Sequence, residues 1–187
     1  MKLLLTILTV LSSFLTNLEQ KTLKSDFTIT VTEEVNAPMN FPGWIIMQGD
    51  KFRLEMMDIE AAYDGKTMYM YASNTDELTL SNPTEQELLE ANPFLYAKAL
   101  VDVCNIVEKA GGGNTLITLT PKDQSIGINR FVLKLRNADL MPLSVELKEG
   151  KKNTTLKFKE PKFVPTNPDY IFVLKPSKNT YVIDMRL

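Results

Sequence analysis

The chain has 187 residues, 44% of them apolar and 24% charged. That is the make-up of one globular domain with a sizeable core, and it excludes wholesale disorder. Net charge is −2, histidine is absent and Cys104 is the single cysteine. No global basic field therefore draws nucleic acid, and histidine-based triads, imidazole zinc sites and an internal disulfide are excluded.

The charge is split along the chain. Residues 1–93 hold 6 Lys/Arg against 14 Asp/Glu, and residues 94–187 hold 15 against 9. Much of the basic excess is lysine between Lys148 and Lys162. A solvated sheet face accounts for such a run, and so does a surface that meets an anionic partner or lipid headgroups.

Met1-Lys2, then Leu3, Leu4, Leu5, Ile7, Leu8, Val10 and Leu11, opens like a secretory signal. No small-x-small cleavage site follows, and Thr6, Thr9, Ser12, Ser13, Thr16 and Asn17 interrupt the run. Leu4, Leu8, Leu11, Leu15 and Leu18 recur at helical spacing, which predicts an amphipathic helix across residues 4–20 of an N-terminal region 1–22. Both readings fit these residues. The segment is too polar and too short to span a membrane.

From Asp26 onward the chain reads as strands. Phe27, Ile29 and Val31 alternate with threonines. Pro38 and Pro42 are expected to break the chain before a short strand at Trp44–Met47. Gly49-Asp50 turns into Phe52, Leu54 and Met56, which alternate with Arg53 and Glu55. After a turn at Asp64-Gly65, Met68–Tyr71 and Glu77–Leu80 form the next hairpin. The period then changes. Thr84 to Glu87 has the form of a capping box, Asn92-Pro93 restarts the chain, and Phe94–Val103 is expected as a helix with Leu95, Ala99 and either Val103 or Leu100 on one side. Gly111–Gly113 reads as a flexible connector. Strands return at Leu116–Leu119, Ile128–Arg136, Leu143–Lys148, Thr154–Lys159, Ile171–Leu174 and Tyr181–Met185. The expected architecture is mainly β (α+β): a long, meandering antiparallel sheet whose dry face has only two short helices to cover it, one at the N-terminus and one over residues 84–103, all within one domain spanning 1–187.

Catalytic signatures are missing. There is no Walker loop, no GxGxxG and no GxSxG. Asp58, Glu60 and Asp64 cluster around a strand end and a turn, where solvated acids are ordinary. No catalytic residue, metal site or cofactor is expected. Met47, Met56, Met57, Met68 and Met70 fall within neighbouring hairpins. Methionine there is either core filler or the lining of a surface that takes varied apolar ligands.

Five stretches in order resemble the LolA-like family of periplasmic outer-membrane lipoprotein carriers. They are Leu23–Ile29 after a short helix, Gly43–Met47 leading to Lys51-Phe52-Arg53, Tyr63–Tyr71 with its Asp-Gly-Lys-Thr core, Asn92-Pro93-Phe94, and Leu119–Lys122 leading to Phe131–Leu133. The resemblance implies a strongly curved, open antiparallel β-barrel or half-barrel with a short helical lid over residues 84–103, which carries lipoprotein acyl chains through the periplasm without catalysis. It implies an inner-membrane release complex and an outer-membrane acceptor as partners, acylated lipoproteins or other lipids as cargo, no nucleic acid, and a monomer. Residues 4–20 fill the slot of the family's helix before the first strand, which places any signal upstream of Met1. No lipobox is present, which favours a soluble carrier over the anchored receptor. On this reading the lining is Phe27, Ile29, Val31, Phe52, Leu54, Met56, Met68, Met70, Phe131 and Leu133, with Leu95 and Leu100 in the lid. Proteobacterial carriers have a basic residue and a proline in the turn where this chain has Gln48-Gly49-Asp50, so Arg53 becomes the candidate for lid control. An envelope binding-regulator of anti-sigma type and a general lipid-binding module are the alternatives.

Overall fold

The computed structural model describes residues 9–34, 36–165 and 169–186. It opens with helix α1 (Val10–Gln20) and strand β1 (Thr22–Thr32). A first meander follows: β2 (Met39–Gln48), β3 (Lys51–Met56), β4 (Ile59–Tyr63), β5 (Met68–Ala72) and β6 (Glu77–Ser81). Helices α2 (Glu85–Ala91) and α3 (Pro93–Leu100) lead into a second meander of β7 (Cys104–Gly111), β8 (Asn114–Pro121), β9 (Arg130–Arg136), β10 (Pro142–Glu149) and β11 (Lys152–Val164). The last strand is β12 (Tyr181–Asp184).

All twelve strands form one sheet in the order β12-β6-β5-β4-β3-β2-β1-β11-β10-β9-β8-β7. Every pairing is antiparallel except β12 with β6, and β12 and β7 lie at opposite edges, so the sheet is open. β1 sits in the middle and joins the two meanders through β2 and β11. This order explains where the helices lie. β6 and β7 are at opposite sides of the sheet, so the chain between them must cross it, and it carries α2 and α3 across the concave face.

The side-chain period of two sorts the faces. Phe27, Ile45, Leu54, Phe131, Val145 and Leu156 point inward, and buried residues of α1 and α3 meet them in one large core. Phe14 of α1 meets Phe94 of α3 edge-on at 5.0 Å, and Phe94 stacks on Phe158 of β11 at 5.6 Å. Glu108 on β7 accepts hydrogen bonds from the amides of Val10 (3.2 Å) and Leu11 (3.0 Å), so an inward acid of the edge strand holds the positive end of α1. A smaller cluster of Ala62, Tyr69, Leu78 and Leu174 lies on the convex side, under the C-terminal segment.

Several expectations are corrected. Pro42 does not break the chain but lies inside β2, opposite Thr28 of β1. The β2–β3 ladder begins at Gly43, one residue further on, so at Pro42 that side of β2 has no partner and a residue without N–H is tolerated. Helix α3 ends at Leu100, and β7 begins at Cys104, in a stretch expected to be a helix end and loop. Gly111–Gly113 is not a loose connector. Gly112 (φ 59°) and Gly113 (φ 77°) make the tight turn of the β7–β8 hairpin, a geometry that asks for left-handed residues. Residues 169–172, which overlap the strand expected at Ile171–Leu174, form a 3₁₀ turn that buries Phe172 completely. The predicted helix over 4–20 is present from Val10. Leu4, Ile7 and Leu8 lie outside the described residues.

Candidate functional site

Between the concave face and the helices lies a cavity of about 510 Å³, within the range of small-molecule sites, roughly 300–1,000 Å³. Its floor is apolar: Phe27 and Ile29 from β1, Ile45 from β2, Leu54 from β3, Phe131 from β9, Val145 and Leu147 from β10 and Leu156 from β11. Leu89 and Ala91 of α2 and Pro93 and Tyr96 of α3 form the roof. Polar groups gather at one side, where Glu149 and Lys152 face each other across β10 and β11 and Gln86 and Glu90 come from α2.

Two local features shape the floor. A β-carbon on Gly43 would lie 2.3 Å from the Glu55 carbonyl oxygen and 2.6 Å from the Phe27 ring, so only glycine lets that ring lie flat on β2. Register also shifts between β1 and β11 at Lys24/Asp26, where Glu160 takes a left-handed φ of 52°. Such a bulge bends the sheet and adds to its curvature.

The roof has two unlike halves. α3 buries Phe94, Ala97 and Leu100, whereas α2 buries no residue fully. The junction is Asn92, which is wholly buried and extended (φ −128°, ψ 101°). Its Oδ1 accepts from the amides of Phe94 (3.0 Å) and Leu95 (3.2 Å), capping α3, and its own amide donates to the Leu88 carbonyl (3.0 Å), closing α2. Its Nδ2 is buried without a hydrogen-bond partner among the described residues, a cost of about 1–3 kcal/mol. α2 is also self-contained at its other end, where Thr84 and Glu87 form the expected capping box. Tyr96 meets Phe131 edge-on at 6.2 Å. Burial raises its hydroxyl pKa, and Glu149, Cys104 and Glu90 add to that, so the roof presents a neutral phenol to the cavity.

All ten residues read as lining lie at inward-facing positions of the sheet. Four of them, Phe27, Ile29, Leu54 and Phe131, border the cavity. Phe52, Met68 and Leu133 are core instead, and Met56 packs half-buried against it. Val31 is half-buried without bordering the cavity, and Met70 is 48% exposed. In the lid, Leu100 is core and Leu95 is half-buried without bordering the cavity. The inward stripe of α3 is Phe94, Ala97 and Leu100, with Ala99 exposed. Pro93 and Tyr96 at i, i+3 spacing are the available signal for the residues that do form the roof.

Arg53 points to the convex side, away from α2 and α3. Its Nε and Nη2 each lie 2.6 Å from Glu60 Oε1, and Nη1 donates to the Ile171 carbonyl at 3.4 Å. A latch from Arg53 to the helices is therefore corrected, because strand alternation sends it to the opposite face from Phe52 and Leu54. Asp64, in the Asp-Gly-Lys-Thr stretch, organises the β4–β5 turn. Its Oδ1 accepts from the amides of Lys66 (2.9 Å) and Thr67 (2.8 Å), and its Oδ2 from the Tyr69 hydroxyl (3.0 Å). Burial pushes this carboxyl up, but the Thr67 and Lys66 amides, Tyr69 and Lys51 together hold it below its ordinary value.

No protein-family model matches the sequence, and no curated protein matches it. Solved structures do. An uncharacterized conserved protein from Thermus thermophilus is similar with a TM-score of 0.61 at 15% identity, over 94% of this chain and 96% of that one. A chain of the MucA/MucB complex of Pseudomonas aeruginosa gives 0.53 at 14% identity, over 89% of this chain and 60% of that one. The neighbours also include a LolA superfamily protein from Nitrosomonas europaea, at 0.44 and 10% identity, over 89% of this chain and 98% of that one. At these identities the likeness is one of fold.

Proposed function

We propose that this protein is a non-enzymatic carrier that shields the acyl chains of lipoproteins in the periplasm, on their way to the outer membrane. The observation that carries the reading is the apolar 510 Å³ cavity under a roof whose outer half, α2, buries nothing fully. The ordered motifs from Leu23 to Leu133 support it. Each buried CH₂ contributes ~0.8 kcal/mol, so a dozen give about 10 kcal/mol before the cost of association. A carrier must also release its cargo, so its closed state must open cheaply. α2 meets that need, because none of its own side chains is fully buried and its apolar contact rests on the partly buried Leu88, Leu89 and Ala91. By the same resemblance, the partners are an inner-membrane release complex and an outer-membrane acceptor.

A second reading has one observation behind it. A chain of the MucA/MucB complex shares the fold at a TM-score of 0.53, and that complex is an assembly between proteins. On that reading this chain is an envelope regulator that binds a protein partner. Native mass spectrometry of the protein purified from its envelope separates the two. An acylated species released with it is the expected result. A stoichiometric polypeptide without acyl chains overturns the carrier reading in favour of the regulator.

A further inference from the structure

The split of charge along the sequence becomes a split in space. The acidic first half builds β2–β6, and the basic second half builds β7–β11 on the other side of β1. On the convex face the registers place Lys109, Leu116, Lys134, Ser144 and Lys157 side by side in one row across β7 to β11. At ~4.8 Å per strand the row spans about 19 Å. Arg130 and Lys148 pair on the same face, and Lys159 follows Lys157. The acids nearby are Glu146, Asp26 opposite Lys159 at the β1 border and, at the bulge, Glu160. None of these cations makes an ion pair with a described residue, whereas two outward acids of the other half are engaged, Glu60 by Arg53 and Glu55 by Trp44 Nε1. The C-terminal segment covers part of the convex face over β4–β6, but no described element covers it over β7–β11. Val107 (49% exposed) and Leu116 (43%) bring apolar side chains to the same corner.

We infer that this convex face of β7–β11 is a docking surface for an anionic lipid bilayer, distinct from the cavity on the other side of the sheet. The chemistry favours lipid over other polyanions. The charges are chiefly lysine ammoniums, point charges on flexible stems that suit a diffuse layer of headgroups, rather than arginine forks that grip one defined carboxylate or phosphate. The outward positions carry no aromatic residue to stack on bases or anchor a protein hot spot. Val107 and Leu116 beside Lys109 are the mixed apolar and basic edge that an interfacial surface presents. The face lets the protein meet a membrane reversibly and with a fixed orientation.

The test is co-sedimentation with vesicles of phosphatidylcholine alone and of phosphatidylcholine with one third phosphatidylglycerol. The wild-type protein is expected to bind the second and not the first, with binding lost as salt is raised. Each lysine near an anionic surface is worth roughly a factor of five, so the triple variant Lys109→Gln, Lys134→Gln, Lys157→Gln should bind about a hundredfold more weakly. An equal loss of charge elsewhere, through Lys66→Gln, Lys175→Gln and Lys178→Gln, should change little. Should the first triple fail to fold by circular dichroism, Glu146→Gln decides instead, because removing an acid from the middle of this face should tighten binding about fivefold. Equal binding to both vesicles, equal loss in the two triples, an unchanged Glu146→Gln, or binding to polyglutamate but not to vesicles overturns the proposal. Fatty-acid uptake by the first triple should match wild type, which keeps this outcome separate from that of the cavity.

Discussion

α2 and α3 are neighbours in one crossover, yet they belong to different parts of the molecule. α3 is core: Phe94 sits between Phe14 and Phe158, and Asn92 is buried beneath its first turn. α2 is cover: it lies over the cavity with Leu89 and Ala91, and its own capping box holds its first turn without tertiary help. The difference teaches that the moving part of a lid need not be the whole helical insertion. A division at one extended residue leaves one helix anchored and the other free to respond to a ligand.

The largest expected effect comes from α3. Phe94→Ala removes a ring that contacts both α1 and β11, and it should cost about 3–5 kcal/mol in denaturant unfolding. Leu89→Ala in α2 should cost less than about 1 kcal/mol, because its side chain is only half-buried. Equal costs at the two sites would erase the distinction between the helices. Next in size is Gly43→Ala, whose methyl group meets the backbone oxygen of Glu55 at 2.3 Å, a contact that only movement of β3 relieves. A loss of about 1–3 kcal/mol in thermal unfolding is expected, with weaker ligand binding as Phe27 is pushed toward the cavity.

Leu54→Phe sharpens the comparison from below. It fills the floor facing α2, so uptake of a fluorescent fatty acid should fall about tenfold, equivalent to ~1.4 kcal/mol, with the fold intact. A variant that unfolds readily yet binds normally would show a filled core there. The smallest effect concerns the distant β4–β5 turn. The Asp64 carboxyl is held below its ordinary value, so its stabilising contribution is fully present only well above the unfolded value of about 3.9 and is lost as pH falls through the lower folded value. Urea midpoints of wild type should therefore drop more than those of Asp64→Asn as the pH is taken down through and below the ordinary aspartate range, about pH 4. Parallel curves for the two proteins would remove Asp64 from that role.

The faces of the sheet are legible in the sequence because alternation is local. Phe27-x-Ile29-x-Val31 and Phe131-x-Leu133 declare a side without knowledge of any partner, and the capping box at Thr84 declares a helix start in the same way. The extent of the cavity is not legible, because it depends on where the crossover passes. Met68 is core and Met70 exposed although both point to the same face, and nothing in Met-Tyr-Met-Tyr distinguishes them. Pro42 misleads for a similar reason, since a proline breaks a strand only if its missing N–H had a partner, and the partner ladder ends one residue away. Strand β7 escapes a reading by pattern because its last residue, Gly111, runs into the Gly112-Gly113 turn as one glycine run, and its outer edge has no neighbour to impose a strong apolar alternation. The stripe of α3 lies one residue from the expected one: Leu95 and Ala99 have the right spacing, but Phe94 and Ala97 face the sheet.

Hydrogen exchange across residues 82–104, with and without an acylated ligand, tests the central claim most directly. Fast exchange in α2 and slow exchange in α3 are predicted for the free protein, because only α3 is tied to buried side chains. Added ligand should slow α2 to approach α3 and leave β9 around Phe131, already protected, unchanged. Equal protection of both helices in the free protein, with no change on adding ligand, would contradict the claim and make the roof an ordinary part of the core.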